Sequence, residues 1–240
     1  DYTETGGNHR TLDKVYGFIP GAKVTIRKQI GQFIVEPSLA FKRGDLTYRG
    51  GINGSDTPFL TVFGGTENYL FNAEFILGYI GQINAKQNLV PYLQYGYRRW
   101  LREVPPIGTL TVNGSSTHIG VNSYTETYQN QFLMFGVEFQ QEVSDKINAA
   151  VFVASGSTFN ASLFTNLPVD VDNNSIRSIG TKDELGSKPM YSVGVKTDYE
   201  FIDHWHVILN ATYQRFAYGK SKPILGYLEP DSTTQDVTIG

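Results

Sequence analysis

The feature that most constrains this chain is a strict alternation of side-chain type over residues 69 to 98. The apolar series is Tyr69, Phe71, Ala73, Phe75, Leu77 and Tyr79, and after a polar gap it continues at Leu93, Tyr95 and Tyr97. Most positions between them carry polar groups or glycine, among them Glu74, Gln94 and Arg98. Residues two apart in an extended strand share one face. The pattern therefore predicts two long strands, each with one apolar face.

The same period of two recurs through most of the chain. It is found in residues 18–27, 35–41, 133–139, 147–153, 191–201 and 205–213, and the closing stretch "TTQDVTIG" begins one more strand. Residues 138–152 also permit a short helix, but the alternation on both sides favours a hairpin. We therefore predict an all-β fold with nine strands visible in the sequence.

The connections between these strands alternate between short and long. Those near 31, 81–88, 143–146 and 203 are short, whereas 50–66, 104–123, 165–187 and 218–232 are long and rich in Gly, Ser, Asn and Pro. Membrane-spanning β-barrels have this asymmetry between their two ends. The segment "TLTVNGSSTHIGV" reads as a hairpin tip, because Asn-Gly favours a two-residue turn.

Composition excludes several classes of protein. No run approaches the ~18 apolar residues of a transmembrane helix, so a membrane location requires a barrel. The chain has no cysteine, which rules out disulfides and thiolate chemistry, and its net charge of -3 gives no support to nucleic-acid binding. We interpret residues 1–240 as one domain, since 240 residues suffice for one closed barrel.

The alternating strands, "PYLQYGYRRW" from Pro91 and the closing "YLEPDSTTQDVTIG" resemble small Gram-negative outer-membrane β-barrel proteins, of the opacity-like or omptin-sized group. The resemblance implies an antiparallel up-and-down transmembrane barrel in the bacterial outer membrane. It is architectural and brings no catalytic signature. Bacterial barrels have an even number of strands, so we expect about ten in the complete protein, with the first strand before Asp1 or within residues 1–14. The end of the last strand is also expected to be missing, because the terminal aromatic residue usual in such barrels is not seen.

The resemblance assigns the polar face to the barrel lumen. We expect a charge network there, formed by Lys23, Arg27, Glu36, Lys42, Glu74, Arg98, Glu138, Lys196 and Asp198. Acids and bases are nearly balanced, and enclosed charges are tolerated when they are paired. A barrel of about ten strands is narrow, which favours a filled lumen; a conducting pore is the alternative. The glycines on this face are expected to make room for Arg and Lys stems, or alternatively to relieve strand curvature; they are Gly21, Gly78, Gly96, Gly136 and Gly194.

The apolar face is then expected to meet lipid. The predicted lipid-facing residues are Val24, Leu39, Phe75, Leu77, Leu93, Tyr95, Phe135, Val137, Val193, Val195 and Leu209. Aromatic residues near strand ends, including Tyr79, Trp100 and Trp205, are expected to form an interfacial belt. A soluble secreted barrel that carries a ligand would fit the same alternation with the two faces exchanged.

No catalytic constellation is recognised in the sequence. His204 and His206 share a face, but with Trp205 between them they fit the interfacial belt better than a metal site. A hydrolase at the outer rim would need a histidine beside an acid. The available groups are His118 with Asp170, Asp172, Asp183 and Glu184, which also read as a solvated acidic loop. We predict neither a metal nor a cofactor.

Three functions remain open on this sequence. The first is a structural or surface-recognition role through long extracellular loops, since loops on a rigid scaffold commonly carry recognition. The second is a narrow, porin-like pore for ions or small solutes, and the third is the rim hydrolase. The expected partners are outer-membrane lipid, lipopolysaccharide and a surface or periplasmic protein, without nucleic acid.

Overall fold

The computed structural model describes residues 1–5, 11–51, 60–104, 107–112, 115–120, 123–172, 175–202, 205–221 and 231–240. Its strands are β1 (Tyr2–Thr5), β2 (Thr11–Tyr16), β3 (Gly21–Thr25), β4 (Lys28–Ile30), β5 (Phe33–Gly51), β6 (Leu60–Tyr79), β7 (Gly81–Asn84), β8 (Gln87–Val104), β9 (Ile107–Val112), β10 (Ser115–Gly120), β11 (Tyr124–Ser144), β12 (Ile147–Asp172), β13 (Ser175–Leu185), β14 (Pro189–Ile202), β15 (Trp205–Tyr218) and β16 (Asp231–Ile239). The described residues contain no helix of the length and apolar character needed to cross a membrane.

The strands form one antiparallel sheet that closes on itself. The hydrogen-bonded ring runs through β6, β5, β2, β1, β16, β15, β14, β12, β11 and β8, and the β6–β8 pairing completes it. Among the described residues the ring has ten strands, which confirms the predicted all-β barrel of about ten. The tenth strand is β1, a short segment in which the alternation is too brief to be recognised from the sequence.

Alternation of side chains sets the two faces of this wall. Along β8, from Leu89 to Glu103, each residue on the outer face is more exposed than the inner residues on either side of it. The long pairings keep this phase: Leu93 of β8 lies opposite Phe135 of β11 and Leu77 of β6. Because register fixes which face each side chain takes, the outer apolar stripe runs unbroken across three strands.

The two ends of the barrel differ as the connections predict. At one end β4 and β5 join at Gly31, whose φ of +62° suits glycine in a tight turn. At the same end β11 and β12 join at a short turn, with Ser144 opposite Ile147. The hairpin prediction for residues 138–152 is therefore correct, and the helix alternative is wrong.

At the other end the strands extend well beyond their neighbours. The pair β9 and β10 forms the predicted hairpin, with Val112 opposite Ser115. The third long connection is more ordered than expected, since β12 continues to Asp172 and pairs with β13 from Ser175. Most of the predicted long loop at 218–232, and the predicted short turn at 203 at the opposite end, lie outside the described residues.

Gly21 makes room for a lysine stem as expected, since a Cβ there would lie 2.6 Å from Lys42 Cγ. Three other inner glycines make room for aromatic rings instead. A Cβ on Gly96 would lie 2.1 Å from the Phe132 ring, and one on Gly136 would lie 2.3 Å from the Tyr92 ring. Gly194 faces Phe152 in the same way, at 2.5 Å. Atoms of inner aromatic rings come close to the wall at these points because the wall presents no side chain there.

Candidate functional site

The outer surface of the barrel carries a continuous apolar band. Ten of the eleven residues predicted to face lipid are between 44% and 67% exposed: Val24, Leu39, Phe75, Leu77, Leu93, Tyr95, Phe135, Val193, Val195 and Leu209. Val137 lies on the same face but is only half-buried between its neighbours. Exposed apolar patches of this extent mark interaction surfaces. The band is thus the first candidate site on the molecule.

Trp100 does not belong to this band. We expected it in the interfacial belt, but it lies inside the barrel and is 5% exposed. Its position follows from the alternation, since it shares the inner phase with Arg98 and Arg102 on β8. The expectation was wrong because aromatic type was given more weight than phase. The Trp205 side chain lies outside the described residues.

An ionic layer lies in the lumen near the short turns. Glu138 accepts hydrogen bonds from Arg27 Nη2 at 3.0 Å and from Lys196 Nζ at 3.0 Å. Glu36 lies within reach of the same two cations, at 3.6 Å from Arg27 Nη1 and 3.9 Å from Lys196 Nζ. Two acids and two bases therefore tie β11, β5, β14 and the link between β3 and β4 together across the lumen.

Two further ion pairs lie at the side of this layer. Lys23 Nζ is 3.2 Å from Glu74 Oε2. Lys42 Nζ is 3.0 Å from Asp236 Oδ2 and donates to Thr238 Oγ1 at 2.8 Å. Asp236 was not among the predicted network residues, because the last strand is short and its phase was not assigned. Asp198 is half-buried on the inner face of β14, and it also has an interaction partner.

Arg98 differs from the other predicted lumen charges. It is 2% exposed, and its hydrogen bonds go to the amide oxygens of Asn72, at 3.2 Å, and Gln214. Its guanidinium lies 3.8 Å from the centroid of the Phe216 ring. Neutral amides and aromatic faces stabilise a guanidinium without neutralising it. Among the described residues, no carboxylate lies within ion-pair distance of Arg98.

An aromatic layer lies in the lumen on the side of Arg98 that faces the long connections. Tyr2, Trp100, Tyr128 and Tyr218 are each at most 5% exposed. Trp100 stacks on Tyr128 with ring centroids 5.3 Å apart, and Tyr2 meets Trp100 edge-on at 5.1 Å. The Trp100 indole N–H donates to Asn68 Oδ1 at 2.8 Å, so its polar group is satisfied. This cluster, Tyr2, Trp100, Tyr128 and Tyr218, is called the aromatic layer below.

A buried ion pair that the sequence reasoning missed lies beside the aromatic layer. Arg102 Nη2 donates to Glu126 Oε2, and both residues are at most 8% exposed. The Arg102 guanidinium also lies 5.7 Å from the Trp100 ring centroid and 5.9 Å from that of Tyr128. Extending the β8 alternation from Arg98 to Arg102 would have found the cation. Its partner Glu126 was harder to predict from the sequence, because the early part of β11 has no clear apolar stripe.

The predicted catalytic groups are largely outside the described residues. His9 and His204 fall there, as do the side chains of His118, His206, Asp170 and Asp172. Asp183 and Glu184 are described and lie on β13, one buried and one exposed. Within the described ranges, no three His, Asp or Glu residues gather as metal ligands would. The rim hydrolase therefore stays a prediction.

Comparison with known proteins yields a fold and no family. No family model and no curated protein matches the chain. Among solved structures, the outer-membrane protease OmpT from Escherichia coli is similar, with a TM-score of 0.68 at 10% sequence identity. The likeness covers 99% of this chain and 89% of the OmpT chain. The chain has an OmpT-like β-barrel fold. The opacity-like part of the expected resemblance stays a prediction.

The OmpT-like wall also carries an outer recess of about 300 Å³. It lies on β8, β11, β12 and β13, and its lining is Tyr97, Arg99, Thr127, Gln129, Ser162, Phe164 and Lys182. Arg99 is the next outward residue beyond Tyr97 toward the long connections. The recess thus combines two cations with hydroxyl, amide and aromatic groups on the outer surface.

Proposed function

We propose that this chain is an outer-membrane β-barrel protein of a Gram-negative bacterium, with a filled lumen and a structural or surface-recognition role carried by its long loops. The observation that supports this most strongly is the outer apolar band. Side chains such as Phe135 and Val195 are more than half exposed all along the wall. In water such a band costs solvation free energy, whereas in lipid it is stabilising.

The alternative of a soluble ligand carrier is less compatible with the same exposures. Such a carrier would bury Phe75, Leu93 and Phe135 in an apolar cavity, but these three residues are between 44% and 58% exposed. The enclosed face instead holds the ion pairs of Glu138 and Arg102. A charged interior with an apolar exterior fits a membrane better than water.

The membrane proposal is tested by heat-modifiable migration and vesicle flotation. We expect the chain refolded in detergent to migrate differently on gels before and after boiling, and to float with lipid vesicles after reconstitution. A matched variant with Leu93→Arg places a charge in the band, which costs ~2–4 kcal/mol at the middle of a bilayer. Glu103→Arg, on the same face near the long connections, should float normally. Full solubility without detergent would contradict the proposal.

A filled lumen predicts that the barrel does not conduct ions. The ionic layer around Glu138 and the aromatic layer both cross the lumen, one above the other. In planar bilayers we expect no steady single-channel conductance from the unmodified chain. A stable conductance from the unmodified chain would favour the narrow-pore alternative.

The outer recess supports lipopolysaccharide as a partner. Arg99 and Lys182 can pair with lipid phosphates, and Phe164 offers an apolar contact to an acyl chain. The double variant Arg99→Gln/Lys182→Gln is expected to bind lipopolysaccharide vesicles more weakly. Arg215→Gln is the matched control, since Arg215 is an exposed outward arginine on β15, away from the recess. Equal weakening by both variants would mean general charge attraction and no specific site.

A further inference from the structure

Arg98 is bound inside the lumen by neutral groups, and one of its nitrogens has no acceptor. Its Nε donates to Asn72 Oδ1 at 3.2 Å, and its Nη2 donates to the Gln214 amide oxygen. Its Nη1 carries two N–H groups, and it reaches no acceptor among the described residues. The guanidinium keeps its charge in a protein, and a buried donor without an acceptor is destabilising. The surroundings of Arg98 therefore lack at least one acceptor.

The charges around Arg98 do not balance. Two carboxylates, those of Glu74 and Asp236, lie in electrostatic range of its guanidinium. Each of them is already paired, Glu74 with Lys23 at 3.2 Å and Asp236 with Lys42 at 3.0 Å. Three cations and two acids leave one excess positive charge in this part of the lumen. An enclosed charge is tolerated when a counter-charge accompanies it.

Two further buried polar side chains beside Arg98 lack hydrogen-bond partners. Asn130 of β11 lies directly opposite Arg98 in the sheet. Neither its amide nitrogen nor its amide oxygen reaches a partner within the described ranges. The Tyr218 hydroxyl lies beside Asn130 and in electrostatic range of Arg98, and it also reaches no partner at hydrogen-bond distance. Three side chains from three strands thus bring unpartnered donors to one region of the lumen.

We propose that Arg98, Asn130 and Tyr218 form a buried site for one small monovalent anion such as chloride. The anion would accept hydrogen bonds from Arg98 Nη1, the Asn130 amide nitrogen and the Tyr218 hydroxyl, and its charge balances the excess positive charge. A water molecule would satisfy the donors but would leave the charge unbalanced. All three side chains are at most 2% exposed. Such close packing restricts the ligand to a small ion and excludes anions of the size of phosphate.

The test is equilibrium urea unfolding of the whole chain in non-ionic detergent, with chloride exchanged for isethionate at constant ionic strength. Above the dissociation constant, each tenfold rise in chloride should raise the folding equilibrium constant about tenfold, as binding to one site requires. Asn130→Asp supplies a carboxylate opposite Arg98. This variant should lose the chloride dependence and should unfold at higher urea than the unmodified chain when chloride is low.

Asn88→Asp is the matched control. Asn88 is half-buried on the same inner face of β8, ten residues before Arg98, so the substitution adds an equal charge away from the site. This variant should keep the full chloride dependence. Unfolding in micelles does not depend on vesicle flotation, so failure here is distinct from failure of the membrane proposal.

Crystals of the unmodified chain grown with bromide locate the anion independently, and they decide the matter if Asn130→Asp does not fold. We expect an anomalous peak beside Arg98 Nη1 and the Asn130 amide. Three results would overturn the proposal. They are an unfolding midpoint that does not respond to chloride, a chloride dependence that persists in Asn130→Asp, and bromide peaks at exposed cations alone.

Discussion

Glu138 is the residue on which the ionic layer depends most. It is 4% exposed and accepts from both Arg27 and Lys196, so Glu138→Gln removes the main counter-charge of two enclosed cations. Removing one partner of a buried pair is strongly destabilising, and we expect a loss of about 2–4 kcal/mol in the free energy of unfolding. Urea unfolding followed by tryptophan fluorescence measures it. Glu142→Gln, whose pair with Lys86 is exposed and 3.7 Å long, should cost less than ~1 kcal/mol. Equal losses would contradict the layer's role.

Gly96 gives a second prediction at the scale of single residues. Gly96→Ala places a methyl group against the Phe132 ring and should destabilise the barrel by about 1–3 kcal/mol. Phe132→Leu in the same chain should recover part of that loss, giving a coupling of more than ~0.5 kcal/mol in a double-mutant cycle. Gly65→Ala is the control, because nothing lies within 4 Å of its added Cβ. Additive effects of the two substitutions would show that the contact is not limiting.

The faces of single residues could be predicted from the sequence where the alternation was long. Lys23, Glu74 and Glu138 were assigned to the inner face, and the structure brings each into an ion pair. Pairing partners could not be predicted, since they depend on register across strands distant in sequence. The aromatic rings facing Gly96 and Gly136 were missed for the same reason: a glycine shows that space is needed but not which side chain fills it.

Among the strands, β12 contains the one described non-glycine residue with a positive φ. Asn160 has a φ of +48° at a register shift between β11 and β12. A β-branched side chain is strained in this region, so Asn160→Val should destabilise the barrel by about 1–2 kcal/mol. Asn160→Gly relieves the strain but loses the 3.1 Å hydrogen bond to Gln131, and it should stay closer to the original stability. Equal unfolding midpoints for the two variants would show that φ is not constrained there.

Element boundaries were predictable where turn chemistry and alternation agreed. The hairpins at Gly31 and at residues 143–146, and the β9–β10 hairpin, were found in this way. The extension of β12 to Asp172 and its pairing with β13 could not be predicted. That stretch is rich in loop-forming residues, and its two strands are stabilised by pairing with each other. The short β1 also escaped, since four residues are too few to show a period.

At the scale of the whole molecule, closure of the sheet into a barrel could be predicted from two features of the sequence. Long alternating strands with short and long connections permit few architectures other than an antiparallel barrel, and the ring of described strands has that form. Which side chains lie together inside the barrel could not be predicted in the same way. The aromatic layer draws Tyr2, Trp100, Tyr128 and Tyr218 from four strands, and only closure brings them together.

The membrane proposal places the outer apolar band in a lipid bilayer. The chain has no cysteine, so single fluorophores can be attached at Leu93→Cys, Phe135→Cys and Val195→Cys in the band, and at Glu103→Cys and Lys86→Cys near its two ends. After reconstitution, lipids with brominated acyl chains should quench the three band labels strongly and the two end labels weakly. Quenching of the band labels by aqueous iodide, with no response to brominated lipid, would contradict a lipid-facing band.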